Sequence, residues 1–219
     1  MTETRGGIGQ TAPLAETSAA LERGELAVFP TETLYAVGCD ALDALALDRL
    51  LFVKGREAGK PFLVLVADRA MADRLVASWS QAAERLAAAF WPGPLTLLLP
   101  ARAGVHPALV AAGRIGIRLP PEGIIRELLR AVGRPLAAPS ANPAGQPPAQ
   151  DIGEARAFFG NRVASYLDGG PLGGAPSTIV DPGPPLGIIR AGAIPVAMLR
   201  GFAEESDTHV LKIGNPTQG

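Results

Sequence analysis

Lysine is scarce in this chain: the 20 basic residues comprise seventeen arginines and only Lys54, Lys60 and Lys212. Histidine is scarcer, with His106 and His209 alone and no Cys/His cluster, which argues against a zinc site and against a histidine-dependent triad. The single cysteine, Cys39, excludes an internal disulfide. No apolar run approaches the ~20 residues of a membrane-spanning helix, and the opening MTETRGGIGQ is polar with no apolar signal region. The expectation is a soluble, cytoplasmic protein with no membrane partner. A net charge of -1 supplies no global basic field for non-specific nucleic-acid binding, and aromatics, at 5%, are few for stacking bases. An RNA contact would need a local patch, and an enzyme built from this set works by positioning and charge stabilisation.

What is present is a core. With 219 residues and 47% hydrophobic content, the chain can bury one full domain. After an N-terminal arm to about Leu14, ETSAALERG reads as a short helix stopped by Gly24, and ELAVFP as a strand. DALALDRLLFV follows as an amphipathic helix, PFLVLVAD as a buried strand, and ADRLVAS and QAAERLAAAFW as helices, the second ended by Pro92. LTLLLP, RIGIRLP and RPLAAPS read as strands, with the helix GIIRELLRAV between the last two. The alternation continues through EARAFF, VASYLD, STIVD and LGIIRAG, which predicts an α/β fold with an open, mixed sheet. The tail after about Phe202 is polar.

Two of the three lysines stand in VKGREAGKPF, residues 53–62, where arginine would serve if charge alone were wanted. An ammonium is a compact point charge suited to a phosphate oxygen. GREAGKP is not a P-loop: three residues, not four, separate Gly55 from Gly59, and Pro61 stands where a hydroxyl should meet magnesium. Other polar side chains gather after predicted strands. FPTETLYAVG places Thr31, Glu32, Thr33 and Tyr35 after the first, and APSANPAG places Ser140 and Asn142 after another. Ligands of open α/β sheets collect at such strand ends, yet Thr, Ser and Asn beside proline are also ordinary turn formers, and each segment alone fits either reading.

Taken in order, FPTETLYAVG, the K-x-R of Lys54-Gly55-Arg56, FWPGPLTLLLPA, IGIRLP, the S-x-N of Ser140-Ala141-Asn142, PSTIVD and IIRAGAI resemble the YrdC/Sua5 family of threonylcarbamoyl-AMP synthases, from about Ala27 to Gly192. The resemblance implies a YrdC-like twisted open mixed sheet flanked by helices, with a concave basic cavity. It divides the chain into a flexible arm over 1–14, a YrdC-like catalytic domain over 15–202 and a polar tail over 203–219. The activity implied is the joining of L-threonine, bicarbonate and ATP into threonylcarbamoyl-AMP and pyrophosphate, for the t6A modification of tRNA, with tRNA or the t6A-transfer machinery as a compatible contact.

By that resemblance Lys54 and Arg56 carry the chemistry and contact ATP, and Lys60 matches a further ATP position. Ser140 and Asn142 hold nucleotide phosphate and the ion shell, and Arg190 reaches the nucleotide. Magnesium is implied by the triphosphate and by no ligand cluster in the sequence. Threonine falls to Thr33, Arg118 and Thr178: a guanidinium pairs both oxygens of a carboxylate, and hydroxyls can read the side-chain OH. Plainer roles stay open, with Arg118 as an ion pair to a helix carboxylate, Thr178 as a strand residue that simply packs, and Cys39 as a small buried hydrophobe.

The chain departs from the family at Pro148, where many members carry a serine in S-G-x-P-S-P-T, and it reads as the short, single-domain type. Two other classes compete with the synthase. One is a paralogue that makes a different carbamoyl-adenylate and differs around Thr33, Arg118 and Thr178. The other is a YrdC-like protein that binds RNA or ribosomes, which need not retain K-x-R with S-x-N.

Overall fold

The computed structural model describes residues 8–55, 60–199 and Phe202. A helix, α1 (Ile8–Glu22), opens the chain and begins well before the expected ETSAALERG. It leads into β1 (Ala27–Pro30), which turns back through residues 31–34 into β2 (Tyr35–Asp40), with Ala27 opposite Gly38 and Pro30 opposite Tyr35. β2 was not expected as a strand. All six of its residues are buried, so YAVGCD lacks the in–out alternation that marks a half-buried strand. Gly38 sets how closely the sheet closes here, because a Cβ on it would lie 2.2 Å from the carbonyl oxygen of Ala137.

Helix α2 (Ala44–Lys54) starts where the Asp43 carboxylate accepts from the Ala46 amide, and stops at Gly55, whose left-handed backbone (φ 58°) returns its amide to Phe52. β3 is only Val64–Leu65, shorter than PFLVLVAD suggests, because the residues on either side leave the ladder. α3 (Arg69–Asp73) lies earlier than the expected ADRLVAS: Asp68 caps it by accepting from Met71, and Val76 instead bridges to Ala101. α4 (Gln81–Phe90), capped by Ser80, precedes β4 (Leu95–Pro100), β5 (Val110–Ala111) and β6 (Arg114–Arg118). Then come α5 (Ile124–Val132), β7 (Leu136–Ala137), α6 (Ile152–Phe159), β8 (Ser165–Tyr166), β9 (Thr178–Asp181), β10 (Gly187–Arg190) and α7 (Val196–Leu199).

The strands form a twisted, open, mixed sheet in the order β10-β9-β4-β6-β3-β7-β2-β1-β8, with β5 paired to β6. The pairs β9/β4, β6/β3 and β1/β8 are parallel, and the other neighbours in that order are antiparallel. Its central strands are buried on both faces, with Val64, Leu65, Leu97, Ile115, Ile117, Leu136 and Val180 at the core and helices against it. Along this order β1, β4, β5, β7, β8 and β9 run one way and β2, β3, β6 and β10 the other. No helix among the described residues is long and apolar enough to cross a membrane.

Candidate active site

Lys54 closes α2 and is 2% exposed, so a charged side chain lies in the interior with the largest buried residues. Its ammonium donates to the Ser140 carbonyl at 2.6 Å, to the Asn142 carbonyl, and to Asn142 Oδ1 at 3.2 Å. Three acceptors match the ammonium's three hydrogens. The loop they belong to is bonded further: Ser140 Oγ donates to Asn142 Oδ1 at 2.6 Å, and Asn142 Nδ2 donates to the Pro143 and Gln146 carbonyls. The Ala144 amide returns to the Lys54 carbonyl at 3.1 Å. The S-x-N loop is therefore shaped by the K-x-R lysine, 86 residues away in sequence. Arg56 lies outside the described residues, and Lys60 is exposed.

The β1–β2 turn supplies a second group. Thr31 Oγ1 donates to the Leu34 carbonyl at 2.7 Å and accepts from the amides of Thr33 and Leu34. With that hydrogen spent, the 3.1 Å contact between the two hydroxyls has Thr33 as donor, which leaves Thr33 Oγ1 to accept from Arg118 Nη1 at 3.4 Å. Arg118, the last residue of β6, is 4% exposed. Burial pulls its pKa below the usual guanidinium range, and the Glu32 carboxylate opposes that. The partner is thus a carboxylate of the turn, 3.3 Å from Nη1, not one on a helix. The pairing is incomplete: both Glu32 oxygens and Arg118 Nε are buried with no hydrogen-bond partner among the described residues.

The third group joins β9 and β10. Arg190 donates through Nε and Nη2 to the Ser177 carbonyl at 3.2 and 2.9 Å, and through Nη2 to Ser177 Oγ at 3.1 Å. Its pKa is lowered, first by the protein packed around its guanidinium and second by the nearby charge of Arg118, although the residue as a whole is exposed. Ser177 Oγ also bonds Thr96 Oγ1 at 2.9 Å, and Thr96 lies opposite Arg118 in the sheet. Thr178 is fully buried; its hydroxyl donates to the Ile194 carbonyl at 2.9 Å and accepts from the Ile194 amide at 3.0 Å. That hydroxyl clamps the segment after β10. Gly192 is required there, since a Cβ would meet the Pro176 carbonyl oxygen at 2.2 Å.

Direct contacts join the three groups around the β1–β2 turn: Arg118 reaches Thr33 and Glu32, and Thr96, opposite Arg118, bonds Ser177. The S-x-N loop is tied to the start of β2 by the Ala36–Ser140 bridge and by the Ala141 amide donating to the Tyr35 carbonyl at 2.8 Å. Tyr35, expected among the loop polar groups, instead begins β2, and its hydroxyl donates to Asp168 and Gly170 and accepts from Gly169. Ser177 and Thr31 were missed as organising residues; the S-T and T-E-T neighbours of the chosen threonines were their only sequence signal. Cys39 is buried, and burial, with Asp40 and Asp43 nearby, pushes its thiol pKa well up. No group of three or more His, Cys, Asp or Glu residues that could hold a metal occurs among the described residues.

The contacts around the β1–β2 turn therefore gather a buried lysine, two arginines of which one, Arg118, lowers the pKa of the other, and a set of threonine and serine hydroxyls. The Sua5/YciO/YrdC family model, described as "Telomere recombination", matches residues 19–192. The chain belongs to the Sua5/YciO/YrdC family. Among its relatives, the threonylcarbamoyl-AMP synthase of Pyrococcus abyssi is 34% identical over 194 residues, covering 86% of this chain and 56% of that protein. A Mycobacterium leprae protein named putative threonylcarbamoyl-AMP synthase is 42% identical, covering 85% and 86%. Among solved structures, P. abyssi Sua5 complexed with L-threonine superposes with a TM-score of 0.81 at 32% identity, over 86% of this chain and 56% of that one. Escherichia coli YciO superposes at 0.75 and 26% identity, over 84% and 90%. The chain thus spans little more than half of the P. abyssi protein and most of the shorter relatives.

Proposed function

We propose that this chain is a threonylcarbamoyl-AMP synthase, a nucleotidyltransferase that converts L-threonine, bicarbonate and ATP into threonylcarbamoyl-AMP, pyrophosphate and water for t6A modification of tRNA. The observation that carries the reading is the buried Arg118 guanidinium with its Nε unspent, 3.4 Å from Thr33, in the turn that leads into Tyr35 and Ala36, to which the Lys54-bound S-x-N loop is tied. A buried, under-bonded guanidinium calls for an anion, and a planar carboxylate meets two of its N–H groups at once. The threonylcarbamoyl-AMP synthase names borne by relatives, and the L-threonine in the P. abyssi Sua5 structure, support that choice.

In this reading the threonine carboxylate pairs with Arg118, and Thr33 lies beside it. Thr178 acts by holding Ile194 and Ser177 in place. Threonine and bicarbonate give a carbamate and water. The carbamate oxygen attacks the α-phosphorus of ATP, the bond to the β-phosphate oxygen breaks, and pyrophosphate leaves. Such a transfer asks the protein for orientation and positive charge more than for an acid or base. Lys54 supplies charge and fixes Ser140 and Asn142 against the phosphates, with Arg56 and Lys60 expected to add charge from the same segment. Arg190 would face the nucleotide from β10, and a concave basic cavity beside the β1–β2 turn would receive both substrates.

Magnesium would arrive with the triphosphate. The Asn142 oxygens and the Ser140 carbonyl already accept from Lys54, so Ser140 Oγ is the loop atom that could accept from the water shell of a magnesium held by the phosphates, and the ion would neutralise the leaving pyrophosphate. The reaction belongs in the cytoplasm, where ATP and tRNA are found. The test is to incubate the purified chain with ATP, magnesium and bicarbonate, with each amino acid in turn, and to follow pyrophosphate. Release that depends on both L-threonine and bicarbonate is expected. Release independent of any amino acid, or none, would overturn the reading, and release with a different amino acid would identify the paralogue.

A further inference from the structure

The turn that carries Thr33 also carries Glu32, the carboxylate beside Arg118. Its side chain is 19% exposed, yet both carboxylate oxygens are themselves buried and lack a hydrogen-bond partner among the described residues. Its countercharge among the described residues, Arg118 Nη1 at 3.3 Å, does not reach hydrogen-bond geometry, and Arg118 Nε has no partner among them either. Buried charges ordinarily spend their hydrogen-bonding capacity fully, since an unsatisfied one is costly. Here a carboxylate and a guanidinium sit side by side, each under-bonded. The ligand that satisfies both must present an anion and a cation a few ångströms apart. An α-amino acid zwitterion does so.

We infer that Glu32 is a substrate-binding residue that receives the α-ammonium of the amino acid while Arg118 takes its carboxylate. The inference rests on the proposed function and names the group that orients the amine. The β1–β2 turn presets the position: Thr31 bonds the amides of Thr33 and Leu34 and the Leu34 carbonyl, and the Gly174 amide donates to the Thr33 carbonyl at 3.2 Å. The carboxylate is therefore delivered by a held backbone. Without ligand, Glu32 and Arg118 partly neutralise each other. With it, each exchanges a poor contact for a charge-assisted hydrogen bond. Amines that lack the carboxylate, and carboxylates that lack the amine, leave one buried charge unanswered.

The test compares L-threonine with (R)-3-hydroxybutanoate, which keeps the carboxylate, hydroxyl and methyl and lacks only the amine. Both are titrated calorimetrically into the full chain and into Glu32→Gln, with circular dichroism confirming the fold. The parent should prefer threonine by a factor of ~10 or more, and Glu32→Gln should bring the two within about threefold by weakening threonine alone. Glu32→Asp, which keeps the charge on a shorter stem, should retain part of the preference. A purely structural Glu32 would weaken both ligands by the same factor, and that result, or an undiminished preference in Glu32→Gln, overturns the role. If the variants fail to fold, equal binding of the two ligands by the parent overturns it as well. A parent that binds threonine but not in preference refutes Glu32 alone, whereas one that binds no threonine refutes the synthase reading too.

Discussion

Replacing Lys54 tests whether the K-x-R lysine acts on phosphate directly or through the loop it builds. Its ammonium is buried and donates to the Ser140 and Asn142 carbonyls and to Asn142 Oδ1. In Lys54→Met the stem is retained and those acceptors lose a charged donor. Hydrogen bonds to charged groups are worth ~1.5–3 kcal/mol each. The removed ammonium no longer has to be desolvated, and water can reach the half-buried Ser140, so a net loss of about 2–4 kcal/mol is the reasonable sum. For a domain of this size that lowers Tm by roughly 5–15 °C. The catalytic loss should exceed what local disorder explains, with kcat/KM for ATP down by a factor of order 10² or more. Lys54→Arg should rescue neither, because a planar fork cannot point three donors into that corner. Differential scanning calorimetry with and without ATP, beside pyrophosphate kinetics, reads both effects. An unchanged Tm in Lys54→Met would refute the loop-building role; a lowered Tm with parental kcat/KM would refute the phosphate role.

Arg118→Met leaves the Glu32 carboxylate buried without its countercharge, so Tm should fall by several degrees and threonine binding by a factor of ~30 or more. Adding Glu32→Gln should recover part of the Tm and none of the threonine affinity, and a double variant no more stable than Arg118→Met would contradict the ion pair. Thr178→Val keeps the shape and strips both Ile194 backbone groups of their partner, at a cost of about 1–3 kcal/mol seen as a lower urea midpoint; a neutral result would return Thr178 to simple packing. Cys39, its thiol pKa raised by burial, stays a protonated thiol at pH 8, so a thiolate-seeking reagent should label it only after denaturation. Rapid native labelling would show that β2 opens.

The residues chosen from the sequence were chosen for chemistry, and the structure often supplied a second duty for them. Lys54 stood out because lysine is rare here, but only the fold shows it threaded into the loop of Ser140 and Asn142, a contact between residues far apart in the chain. Thr178 was chosen for its hydroxyl, and that hydroxyl is spent on Ile194. β2 went unrecognised because a strand buried on both faces has no alternation, and β3 and β7 shrank to two residues because ladder length depends on the neighbouring strands. Glu32 looked like turn chemistry, since nothing local reveals that a carboxylate will be desolvated.

The amino-acid order by itself determined the α/β alternation, the helix stops near Gly24 and before Pro92, and the roster of cationic and hydroxyl groups at strand ends. Those depend on local periodicity, caps and backbone restriction, which act over a few residues. Which strands pair, in which direction, and which roster members therefore touch, was decided by the tertiary structure. Burial and net charge at a site are sums over distant segments, so the half-satisfied pairing of Arg118 with Glu32 exists only once the fold has brought the last residue of β6 against the β1–β2 turn.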